Sequence, residues 1–143
     1  MENIVTVVFK RESEAFQALA EFKKDMVNYG YKIVQLGIVK KENGVDTPIE
    51  GFDTKEKRRN IKDNTRLMQL AVSKTPDNAT VLVALVEEHE DIVFNSRLSK
   101  FKPKPVITRH EKSALEKELD ALEKAKKDAA KIAKKREDSS NLS

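Results

Sequence analysis

The sequence predicts an α+β fold: a ferredoxin-like β-α-β-β-α-β sandwich with a helical insertion between its second and third strands and an amphipathic C-terminal helix. Three observations predict it. Two short runs, Ile4 to Phe9 (IVTVVF) and Val81 to Val86 (VLVALV), are apolar at nearly every position, as in strands covered on both faces. Each run leads into a segment with helical spacing. Each helical segment leads in turn to a second strand, and in a sandwich of this order the first and third strands are central while the second and fourth are edges.

The first strand spans about Asn3 to Lys10 and closes at Lys10-Arg11-Glu12. Ser13 is placed to cap a helix with Glu14 in its first turn. Phe16, Leu19, Ala20, Met26 and Val27 recur at three- and four-residue spacings, and Gly30 reads as a left-handed stop. Tyr31 to Lys41 is rich in Ile, Val and Leu and forms the second strand. It ends at Glu42-Asn43-Gly44, a turn signal that lets Val45 to Ile49 fold back as a short hairpin arm.

Residues 51–75 read as an insertion, polar and basic at first and then helical through Leu67, Met68, Leu70, Ala71 and Val72. Thr75-Pro76-Asp77-Asn78 punctuates it before the third strand. Phe94, Leu98 and Phe101 mark the next helix, which Lys102-Pro103-Lys104-Pro105 ends. A short strand, Val106 to Arg109, follows, and the proline before it points to an edge position. From Glu111 the composition turns to Lys, Glu, Ala and Asp. Leu115, Leu119 and Leu122, continuing into Ala129, Ile132 and Ala133, form the thin stripe of a long helix, with Lys126 at a heptad position that would favour an apolar residue. Asp138-Ser139-Ser140-Asn141 is a tail expected to fray. The organisation is therefore a domain over 1–110, including the insertion 51–75, and a charged helix over 111–143.

The chain has 143 residues, no cysteine, four glycines and a net charge of +4, with 36% of its residues charged. It is long enough for one core. The lack of cysteine removes disulfide, thiol and cysteine-zinc chemistry and suits a cytoplasmic protein. The N-terminal residues show no leader pattern and no segment reads as a membrane span. A pI near 9.2 permits contact with nucleic acid without requiring it.

Candidate chemistry is sparse. His89 lies in Glu87-Glu88-His89-Glu90-Asp91, a cluster with cation-ligand chemistry, although carboxylates at a helix start answer the helix dipole as well. His110, between Arg109 and Glu111, reads as a capping or surface residue. The sequence has no nucleophile-base pattern and no glycine-rich phosphate loop. No catalytic residue, cofactor or metal is expected. Two basic stretches form the anion-binding candidate: Lys55, Lys57, Arg58 and Arg59, and the acid-free run Ile92 to His110 with Arg97, Lys100, Lys102, Lys104 and Arg109.

The segments Val7-Val8-Phe9, EAFQALAEFKK, YKIVQLGIVKK, ATVLVALVEE and PVITRHEKSALEKELDALEKA together resemble a group of uncharacterised bacterial proteins. Some members are labelled predicted membrane proteins or stress proteins. The resemblance implies no known activity. Such proteins commonly carry a Gly- and Ala-rich apolar segment between the second and third strands. Here residues 51–75 hold seven basic residues against three acidic ones, so a membrane role is not implied.

The expected function is non-enzymatic and works through protein contacts, with a link to stress. Self-association is the leading form. Both helices of the β-α-β units pack on one face of the sheet, and the insertion, the C-terminal helix or a second copy must cover the other. Leu115, Leu119 and Leu122 are the expected interface of a homodimer. The alternative is weak nucleic-acid or anionic-surface binding through Lys55, Lys57, Arg58 and Arg59.

Overall fold

Alternation along two strands sets the architecture. The computed structural model describes residues 1–51 and 61–140, side chains 61–63 and 135–140 excepted. In β1 (Glu2–Phe9), Val5, Val7 and Phe9 enter one apolar cluster while Ile4 and Val8 join another. In β4 (Ala79–Glu88), Leu82, Ala84 and Val86 take the first side and Val81, Val83 and Leu85 the second. Period-2 geometry sends successive side chains to opposite faces. Both faces are therefore cores.

The described elements run β1, α1 (Glu12–Lys24), β2 (Tyr31–Glu42), β3 (Val45–Glu50), α2 (Ile61–Ser73), β4, α3 (Asp91–Ser96), β5 (Val106–Glu111) and α4 (Lys112–Ser140). The strands form one antiparallel sheet in the order β3-β2-β4-β1-β5. This corrects the four-stranded expectation. The hairpin arm is a full fifth strand, so β2 is interior and β3 takes its place at the edge. The turn that makes it possible is Asn43-Gly44, both at positive φ, the conformation of a tight hairpin turn. Asn78 Oδ1 accepts from the Asn43 N–H at 3.2 Å and Asp77 Oδ2 from the Gly44 N–H at 2.9 Å. β5 lies at the opposite edge, where its preceding proline placed it.

On the first face, α1 contributes Ala15, Ala18, Leu19 and Phe22, spaced as one helical stripe. Phe22 stacks on Phe94 with ring centroids 4.6 Å apart, and Tyr31 meets Phe94 edge-on at 5.6 Å. Several boundaries differ from expectation. Arg11, not Ser13, is the N-cap of α1 and makes no side-chain bond there, while Glu12 and Glu14 in the first turn answer the dipole. The helix stops at Lys24, leaving Val27 exposed and bridged to Lys32. Gly30 is needed for space, not as a stop, because a Cβ there would lie 2.5 Å from the Cβ of Val93. α3 spans only six residues. Ser96 and Ser99 hydroxyls bond the carbonyls of Val93 and Ser96 at 2.8 Å each, a local competitor of regular helix. Phe94, Leu98 and Phe101 are buried nonetheless.

On the second face the insertion is the cover. Leu67, Met68, Ala71 and Val72 of α2 pack with Leu115 of α4 against β1, β2 and β4. Lys41 anchors α2: its side chain is buried, and Nζ donates to the carbonyls of Val72 at 3.0 Å and Thr75 at 2.6 Å. An ammonium at a helix C-terminus meets the negative end of the dipole. Beneath α2, the Thr6 hydroxyl is buried and has no hydrogen-bond partner among the described residues.

Two outcomes follow for stability. Lys41→Met should cost about 2 kcal/mol, since it removes charged hydrogen bonds from buried carbonyls; chemical denaturation measures it. Thr6→Val should raise stability by about 1 kcal/mol, because it replaces an unpaired buried hydroxyl with a methyl of similar size; a lowered denaturation midpoint would refute that.

Candidate interaction surfaces

The residues with the most chemistry to offer turn toward each other. Glu88, at the end of β4, and Arg109, in β5, flank β1 and project to the α3 side of the sheet. Arg109 Nε donates to Glu88 Oε1 at 2.8 Å, and a terminal nitrogen donates to Oε2 at 3.0 Å. Asn3 on β1 donates to Glu88 Oε1 at 3.0 Å. The guanidinium also reaches Asn95 Oδ1 at 2.6 Å and the Asp91 carbonyl at 3.2 Å, and its carbon lies 5.8 Å from the Phe94 ring centroid. The Glu88 side chain is only 4% exposed. A bidentate, nearly dry pair of this kind is rigid. It ties three strands to α3.

This pair takes one residue from each of two clusters that the sequence suggests separately. The cation cluster around His89 loses Glu88 to Arg109, while His89 itself is exposed and its backbone N–H bonds the Gly30 carbonyl at 2.9 Å. Among the described residues no group of three potential ligands is placed to hold a metal ion. The acid-free run loses its cations one by one. Arg97 pairs with Asp25, Lys100 with Glu21 and Arg109 with Glu88. Three of its five cations thus meet acids from α1, the segment after it and β4. Lys102 and Lys104 stay exposed. Lys55, Lys57, Arg58 and Arg59 lie outside the described residues.

The leucine stripe divides. Leu115 is 2% exposed and belongs to the chain's own second core, and Leu119 packs against the same cluster. Leu122 is 43% exposed. The reason is length: a 29-residue helix measures about 43 Å, against about 27 Å for the eight residues of β1. Arg66 of α2 pairs with Glu123 and Lys74, just after α2, with Glu118 of α4, and beyond Glu123 every described residue of α4 to Lys134 is exposed. No described helix is long and apolar enough to cross a membrane.

One surface escapes sequence reasoning. Met1, Val27, Tyr29 and Ile92 are all more than 60% exposed and stand at one end of the sheet. Backbone bonds from Glu88 to Met1 and from His89 and Glu90 to Gly30 draw their segments together. Their spacing in the chain carries no signal, because only the strand order makes them neighbours.

Comparison with known proteins returned no matching family model, no similar curated protein and no similar solved structure.

The titration of His110 is displaced. Burial, aided by Lys74, pushes its imidazole below the ordinary 6.5, and Glu118 opposes this. The folded chain therefore binds this proton more weakly than the unfolded chain. The stability contributed by this residue is complete above the unfolded value and is lost as pH falls through it toward the lower folded one. Thermal midpoints of the wild type should drop more steeply than those of His110→Gln as pH falls from about 7 to about 5.5; parallel curves would refute this.

Proposed function

We propose that this protein works by binding, and that its occupant is a second copy of the chain, joined helix to helix through the outer part of α4. One observation supports the reading above others. The row begun by buried Leu115 continues past the body of the protein as Leu122, Ala125, Ala129 and Ile132, all exposed. Their spacing of three, four and three residues is that of a coiled-coil seam, and the same helix on another copy supplies the matching seam. Symmetric dimers are the commonest oligomers.

The interface is thus shifted from the one expected. Leu115 and Leu119 serve the fold, and Leu122 with Ile132 serves the contact. The sheet's second face needs no partner, since α2 and the first turns of α4 already cover it. We also read the core as a ferredoxin-like sheet with an appended edge: with β3 set aside, β2, β4, β1 and β5 follow the order such a sheet requires.

Light scattering on the full chain at high micromolar concentration should give the mass of a dimer, and Leu122→Glu with Ile132→Glu should give a monomer with an unchanged melting temperature. Dimerisation should strengthen as salt rises, because screening relieves repulsion between basic helices while apolar burial persists. A wild-type monomer under these conditions would sink the reading.

A further inference from the structure

α4 carries a second row that neither its packing nor its apolar seam uses. Lys124, Lys127, Lys131 and Lys134 recur at i, i+3, i+7 and i+10, and all four are exposed. Among the described residues the ion pairs of α4 are made by Lys112, Glu116, Glu118 and Glu123 and stop there. The lysine row is displaced from the seam by two residues, about 200° around a helix of 3.6 residues per turn, so the rows occupy opposite sides. Ten residues at 1.5 Å rise extend it over about 15 Å.

The charge along α4 is divided to match. From Glu111 to Glu123 there are five carboxylates and two lysines; from Lys124 to Arg136 there are seven cations and one carboxylate. The acidic half faces Arg66 and Lys74 of the body. Of the basic half, Lys124 to Lys134 are exposed. Lysines near a helix C-terminus can answer the dipole, but that effect fades within the last turn. Lys124 stands about four turns before Ser140.

We infer that this lysine row binds the phosphate backbone of a nucleic-acid duplex. A duplex presents one negative charge per about 1.7 Å of axis, so a 15 Å row meets several phosphates at once. A membrane surface is the poorer match. An interfacial helix must bury large apolar residues, and the opposite side offers Leu122 and Ile132 separated by alanines. Backbone contacts of this kind carry no base specificity. The row binds duplex by charge, whatever its sequence.

The test uses the full chain and a short fluorescein-labelled DNA duplex of mixed sequence, followed by anisotropy across a salt series. With four lysines engaged, the logarithmic salt slope should be about −3.6, or roughly a hundredfold weakening between 50 and 200 mM salt. Changing Lys124, Lys127, Lys131 and Lys134 together to Gln should weaken binding at least about tenfold at low salt and flatten the slope. Changing all four to Arg should preserve both, and Lys127→Gln with Lys131→Gln should halve the slope. A variant with Lys55, Lys57, Arg58 and Arg59 changed to Gln should keep the wild-type slope. Circular dichroism should report wild-type helix in every variant, as expected for exposed positions. The inference is overturned by an absence of duplex binding at 50 mM salt, or by unchanged binding in the α4 glutamine variant. It is equally overturned if loss is confined to the 55–59 variant, or if phosphatidylserine vesicles are bound and duplex is not.

Discussion

Double-sided burial of β1 and β4 is the constraint on which the molecule rests. Val5, Val7 and Phe9 on one side and Ile4 on the other are all essentially inaccessible, as are Val81 through Val86. At roughly 25 cal/mol per Å² of apolar surface, neither face can be left to water. One cover is α1 with α3, whose Phe22 and Phe94 form a ring cluster with Tyr31 of β2. The other is α2 with the start of α4. The described helix of the insertion, α2, is therefore needed to close the second core, and the Lys41 ammonium at its end fixes where it sits.

Charge placement follows from the same constraint. Where strands meet a covering helix at the rim of a core, a polar group survives only with a partner. Glu88 and Arg109 solve this together, with Asn3 and Asn95 completing their hydrogen bonds. Read along the chain, each belongs to a cluster of like sign that suggests a ligand. In three dimensions they form a strut. Elsewhere the surface carries ion pairs between distant segments, as Arg97 with Asp25 and Lys100 with Glu21, whereas among the described residues Lys124, Lys127, Lys131 and Lys134 of α4 enter no ion pair.

Much of this was legible before the structure. The two uninterrupted apolar runs identify the strands needing cover on both sides, Asn43-Gly44 marks its turn, Pro105 marks an edge, and Leu67 to Val72 marks a buried helix. What stayed hidden depends on pairing. Nothing local in Val45-Asp46-Thr47-Pro48-Ile49, all exposed, distinguishes a loose arm from a strand that makes β2 interior. Nor does the spacing of Met26, Val27 and Gly30 reveal that α1 stops at Lys24, because the contact that decides Gly30 is with Val93, far along the chain. The division of Leu115 from Leu122 is likewise invisible in a periodic stripe. It depends on how far the sheet beneath the helix extends.

The strand order also bears on how the chain must fold as it is made. β1 emerges first, yet both of its neighbours, β4 and β5, come late; Asn3 and Glu88, hydrogen-bonded in the finished molecule, are 85 residues apart. During synthesis the N-terminal strand therefore waits, apolar on both sides and unpaired at both edges, until nearly the whole domain has left the ribosome. In a molecule wired this way, a strand buried on both faces is the one that waits longest for its partners.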